Sequence, residues 1–201
     1  MKILRLLLTA LCLVTLGSVL TAGANGSAEP APKNPLVVLQ TSMGDIKIEL
    51  YPDRAPITVK NFLEYARIGF YNGTIFHRVM RGFVIQGGGV TPDLKEKATR
   101  APIKNEAANG LLNDRGTLSM AREEEPDTAT AQFFINLVDN NRLNHHGSSN
   151  RAMGYAVFGK VMEGMDVVDK IGTTPTKAVN PEYANVPMTP IVLKSVKIIS
   201  E

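Results

Sequence analysis

Phe76-His77-Arg78-Val79-Met80-Arg81-Gly82-Phe83-Val84-Ile85-Gln86-Gly87-Gly88 holds two β-type apolar runs, over residues 74–79 and 83–86, each broken by one polar side chain. Arg78 and Gln86 are those interruptions, and both lie close in sequence to Phe83. A second segment, Ala131-Gln132-Phe133-Phe134-Ile135, behaves in the same way. On a strand, Phe133 and Ile135 point into a core while Gln132 and Phe134 point out together. An Arg that snorkels, or a Gln that satisfies backbone groups, explains any one of these residues alone. Several together favour an apolar pocket furnished with a few aimed hydrogen-bonding groups.

Working outward, residues 36–41 and 46–50 read as strands joined through Ser42-Met43-Gly44-Asp45, with Ile46, Ile48 and Leu50 alternating against Lys47 and Glu49. Residues 55–68 read as an amphipathic helix: Pro56 sits in the first turn, Val59, Phe62, Leu63 and Ala66 share a face, and Gly69 stops it. Short strand-like runs follow over residues 116–121, 133–137 and 155–161, then a second helix over 164–171 and a closing strand over 191–199. Many short strands with two separated helices predict an antiparallel barrel or sandwich whose open ends the helices cover.

With 201 residues, 44% hydrophobic and 20% charged, the chain suits one ordinary globular domain, placed at residues 36–201. Residues 25–35 are polar and Pro-rich, a disordered lead-in. Residues 1–24 carry Lys2 and Arg5, an apolar stretch over 6–20 and Ala22-Gly23-Ala24, the pattern of a signal peptide cleaved after Ala24. The competing reading is an uncleaved anchor, which Gly17, Ser18, Gly23 and Asn25 weaken by diluting the apolar run. The single Cys, Cys12, leaves with the signal, so thiol chemistry is not expected of the mature chain. The formal charge of +3 shrinks to twenty basic against nineteen acidic residues once Lys2 and Arg5 are gone. A near-neutral body offers no electrostatic footprint for nucleic acid, and no stable membrane association is expected after cleavage.

Other motifs are weaker. Residues 154–160 have phosphate-loop spacing, but Val161 replaces the Ser or Thr that would hold magnesium, and the interior is β-type. His145 and His146 adjoin a polar loop and His77 is the only other histidine, too few ligands for zinc; no metal is expected. Glu123-Glu124-Glu125 with Asp127 reads as a solvated loop, and no Ser sits in a nucleophile elbow.

Four linked blocks, Phe76 through Gly88, Gly116-Thr-Leu-Ser-Met-Ala121, Gln132-Phe-Phe-Ile135 and Val157-Phe-Gly-Lys-Val161, resemble the cyclophilin family of peptidyl-prolyl cis-trans isomerases in order and spacing. The resemblance implies an all-β fold with two helices, an eight-stranded antiparallel barrel capped by two α-helices. It implies catalysis by Arg78, Phe83 and Gln86, and substrate binding by Val84, Ala121, Gln132, Phe134, Leu143 and Tyr155. Phe83, Phe134 and Leu143 would form the proline slot, Gln86 would orient Arg78 or hold substrate backbone, and Ala121 and Gln132 would line the groove for residues preceding the proline. No cofactor is implied, the partners are proline-containing polypeptides, and the exported bacterial branch implies a periplasmic monomer. Three residues depart from the common pattern: Arg122 for Asn, Arg142 for the Trp of cyclosporin-sensitive members, and Tyr155 for His. The alternative is a non-catalytic proline-peptide binding module or holdase chaperone using the same slot.

Overall fold

β1 (Leu36–Thr41) and β2 (Gly44–Leu50) form the expected hairpin, with Val37, Leu39, Ile46, Ile48 and Leu50 facing inward. The turn is only Ser42-Met43, because Gly44, at φ +135°, already pairs with Thr41. The structure is a computed structural model describing residues 34–200, all within one unit, Lys33–Glu201. The signal-peptide reading of residues 1–24 and nearly all of the lead-in lie outside the described residues.

Helix α1 (Pro56–Arg67) follows, burying Val59, Phe62, Leu63, Tyr65 and Ala66 and ending before Gly69 at φ +67°. No side chain of its own caps it. The Glu106 carboxylate instead accepts hydrogen bonds from the amides of Ile57 (3.1 Å) and Thr58 (2.8 Å) and from the Thr58 hydroxyl (2.7 Å). An acidic group there satisfies amides that the helix leaves free and complements its dipole.

The remaining elements are β3 (Thr74–Ile75), β4 (Arg78–Met80), β5 (Val84–Gly87), β6 (Thr117–Met120), β7 (Phe133–Asn136), β8 (Val157–Glu163), helix α2 (Met165–Gly172), β9 (Thr176–Lys177), β10 (Val186–Pro187) and β11 (Val192–Ser200). One antiparallel sheet has the order β3-β11-β1-β2-β8-β6-β7-β5-β4. Its two edges, β3 and β4, are halves of the single run expected over residues 74–79, split by Phe76-His77. Phe76 N still bonds Ile191 O (3.0 Å) beside one edge, whereas Arg78 already pairs with Gln86 at the other. A sheet whose opposite edges are two residues apart in the chain must curl round on itself, which is the expected barrel. β9 and β10 form a separate two-stranded ribbon that the sequence reading missed, since two-residue strands carry no readable alternation. It flanks the β4 edge through Val79 N to Asn185 O, 2.9 Å.

The core centres on Phe133, which Phe62, Tyr71 and Phe76 meet edge-on at 5.6, 5.6 and 6.2 Å. Gly88, at φ +86°, passes so close that a Cβ would lie 2.7 Å from the Phe133 ring. Val168 and Ile171 of α2 join the same cluster as Phe62 of α1, so both helices bury into one core. Among the described residues no helix is long and apolar enough to cross a membrane.

Candidate active site

Strand register assembles the site. Arg78 lies opposite Gln86, and Gln86 opposite Phe134, so the three form one lateral row across β4, β5 and β7. The next row, Val79, Ile85 and Ile135, points the other way and is buried at 3%, 0% and 0% exposure. Period-two alternation therefore sends one row to the core and the other to a concave surface.

That surface holds a cavity of about 150 Å³ lined by Arg78, Phe83, Val84, Gln86, Ala121, Arg122, Phe134, Leu143 and Tyr155. Eight of the nine residues named from sequence meet there. Gln132 does not line it; it lines an adjoining cavity of about 370 Å³ that shares Gln86, Ala121 and Arg122. Phe134 and Tyr155 wall one side with their rings edge-to-face at 5.6 Å. Phe83 is covered by the Arg142 guanidinium at 4.3 Å, with that of Arg78 farther off at 5.9 Å. Arg142, where the resemblance noted an absent Trp, thus still covers the slot's edge, through its planar guanidinium.

Buried amides hold the loops that carry Phe83 and Leu143. Asn140 Nδ2 donates to Phe83 O (3.0 Å) and to Asn136 Oδ1 (2.8 Å), while Asn113 Nδ2 donates to Leu143 O (3.1 Å). Asn136 Nδ2 in turn donates to Thr117 Oγ1 at 2.9 Å. These asparagines were not picked out from sequence. Asn136 shows there as a polar residue closing an apolar strand, whereas Asn113 and Asn140 lie in loops that carry no such signal.

The polar end of the slot is a relay. Gln132 Oε1 accepts from Gln86 Nε2 at 3.0 Å, which turns Gln86 Oε1 to accept from Arg78 Nη1 at 3.1 Å. Gly89 gives this relay room, since a Cβ there would sit 2.5 Å from Gln132 Cγ. Among the described residues, only that one of the five N–H donors on Arg78 has a partner, and no carboxylate pairs with the guanidinium. Burial lowers the Arg78 pKa below the usual guanidinium value; the Tyr155 side chain opposes that shift and the Arg142 charge adds to it. The group remains a cation at neutral pH.

Arg122 is spent on structure. Its Nε reaches Gly154 O (3.0 Å), Nη1 the carbonyls of Glu123 and Glu124 (2.8 Å each) and Nη2 Asn150 O (2.7 Å), with the guanidinium 4.7 Å over the Tyr155 ring. It braces the wall formed by Tyr155.

Among the other sequence candidates, Val157 to Lys160 lie in strand β8, paired to its neighbours. His145 and His146 are exposed and bond the carbonyls of Met153 (3.0 Å) and Asn141 (2.9 Å). Glu123, Glu124, Glu125 and Asp127 are exposed. Among the described residues no three His, Cys, Asp or Glu side chains gather as a metal site would require.

His77 lies behind Arg78, 7% exposed, with Nδ1 unpartnered and its ring 6.0 Å from that of Tyr183. Burial, then the Arg78 charge, lowers its pKa to about 4. Because the folded value lies below that of the unfolded chain, unfolding takes up a proton between about pH 6.5 and 4. His77 therefore withdraws stability as pH falls through that window, by at most ~1.4 kcal/mol per pH unit. Urea unfolding of wild type and His77→Gln at pH 7 and about pH 4.5 should show a distinctly smaller acid loss in the variant; equal losses would mean that His77 is not the responsible group.

Residues 36–198 match the family model described as cyclophilin type peptidyl-prolyl cis-trans isomerase/CLD. Peptidyl-prolyl cis-trans isomerase A of Dickeya dadantii (strain 3937) is 54% identical over 184 residues, covering 92% of this chain and 95% of its own. Peptidyl-prolyl cis-trans isomerase B of Escherichia coli (strain K12) is 55% identical over 163 residues, 81% of this chain and 99% of its own. Among solved structures, a cyclophilin type peptidyl-prolyl cis-trans isomerase of Cryptosporidium parvum superposes with TM-score 0.68 at 30% identity, over 84% of this chain and 99% of that one. The same Cryptosporidium protein solved in the presence of the dipeptide Ala-Pro gives TM-score 0.67, also at 30% identity, over 83% of this chain and 99% of that one.

Proposed function

The chain belongs to the cyclophilin-type peptidyl-prolyl cis-trans isomerases and is a peptidyl-prolyl cis-trans isomerase; from that premise we propose that it rotates Xaa-Pro bonds of exported polypeptides by electrostatic stabilisation of the twisted amide at Arg78. Rotation must break amide resonance, a barrier of roughly 18–20 kcal/mol. As the bond twists, the proline nitrogen regains a lone pair. A fixed cationic donor aimed at that nitrogen gains strength only at the top of the barrier, which is the condition for catalysis. An acceleration near 10⁵ asks for about 7 kcal/mol from donor, desolvation and orientation together.

The observation that carries this reading is the guanidinium of Arg78, held by one bond to Gln86, with its other donors unspent among the described residues at the rim of an apolar slot. The proline ring enters between Phe83, Phe134 and Leu143, and Gln86 keeps the guanidinium in orientation. A holdase would need the slot but has no use for the fixed cation. Export to the periplasm rests on Lys2, Arg5, the apolar run after them and Ala22-Gly23-Ala24.

Exchange NMR on a proline peptide tests the catalytic reading. Catalytic amounts of the protein should accelerate cis-trans interconversion, with a rate nearly flat from about pH 6 to 8, because no proton is transferred. Peptide binding without acceleration would favour the holdase. A bell-shaped profile would reveal acid-base catalysis instead.

A further inference from the structure

A second cleft, of about 480 Å³, opens off the proline slot and shares Arg78, Gln86 and Arg122 with it. Glu96 and Glu182 reach its lining from two separate loops, with Tyr183 and His77 beside them. We propose that this cleft recognises a lysine or arginine side chain on the stretch of substrate preceding the Xaa-Pro pair, with Glu96 and Glu182 as charge partners and the Tyr183 ring as its platform. The proposal rests on the isomerase reading above and on the assignment of Gln132, which also lines this cleft, to residues ahead of the proline.

Both carboxylates are exposed, and among the described residues neither makes an ion pair or a side-chain hydrogen bond. Two nearby cations are committed elsewhere. Lys97 Nζ bonds the carbonyl of Phe70 and lies 4.8 Å over its ring, and Arg122 is spent on four carbonyls. Arg78 is half-buried, lines both the slot and this cleft, and is bonded to Gln86. Tyr183 stands against the neutral His77 ring, and its hydroxyl pKa is raised first by burial and then by Glu182 and Glu96, so both charges converge on that one side chain. An aromatic ring flanked by free carboxylates suits a cation. His77 lines the same cleft, with its Nδ1 buried and unpartnered among the described residues.

The test uses peptides of one Xaa-Pro core with Lys, Ala or Glu at the two positions ahead of Xaa, followed by exchange NMR at low salt. The Lys peptide should exceed the Glu peptide in kcat/KM by about three- to tenfold, through KM, with the gap closing near 0.5 M salt. In a Glu96→Gln, Glu182→Gln double variant the ratio should fall toward one, and Lys placed after the proline should bring no such gain. Equal rates for the Lys and Glu peptides, a ratio that survives in the double variant, or the same gain from Lys after the proline would each overturn the proposal alone. No acceleration on any peptide would take the isomerase reading down with it.

Discussion

Arg78→Ala should lower kcat/KM for a proline peptide by about 10²–10³ while the affinity for that peptide changes far less. The asymmetry follows from when the interaction forms. In the planar ground state the proline nitrogen has no lone pair to offer, so the guanidinium contributes little to binding; in the twisted state it has one. Losing a single aimed donor typically costs about 2.7–4 kcal/mol of transition-state stabilisation. Arg78→Lys should recover only part of the loss, because Gln86 grips one arm of a planar fork and an ammonium on a flexible stem cannot be held in that plane. The measurement is exchange NMR for rate beside titration of peptide shifts for affinity. If affinity and rate fall together, the Arg binds substrate and twisted state alike, and the electrostatic mechanism fails.

The second large effect separates two neighbouring residues. Phe133→Ala should destabilise the fold by about 3–5 kcal/mol, because it opens a closed void among Phe62, Tyr71 and Phe76. That is a large share of a typical domain's total stability of about 5–15 kcal/mol. Phe134→Ala, one residue on, removes a wall of the slot and the edge-to-face contact with Tyr155. Its gap opens toward solvent, so the stability cost is smaller, while KM for proline peptides should rise about tenfold or more, as loss of a large apolar contact requires. Urea midpoints and steady-state kinetics on both variants check the contrast. Equal destabilisation by the two would contradict the assignment of alternate residues on β7 to core and slot.

How much of this was legible beforehand depends on the range of the information. The hairpin of β1 and β2, both helices and the opposed faces of Phe133 and Phe134 were readable because alternation and helical periodicity are local properties of a few consecutive side chains. Arg78 and Gln86 stood out as polar breaks in apolar runs, and the block resemblance added the roles of Phe83, Leu143 and Tyr155.

Other features needed the folded chain. The run over residues 74–79 gives no sign that it ends one sheet edge and begins the other, since that division is set by pairing with β11 and β5, distant in sequence. Glu106 caps α1 from about fifty residues away, and Asn113, Asn136 and Asn140 lock loops that only the barrel brings together. Glu96 and Glu182 are unremarkable surface acids until two loops carry them to one cleft. Short-range order is written in neighbouring residues, whereas strand order, caps supplied from elsewhere and shared clefts arise from contacts whose partners the chain names only once it has closed on itself.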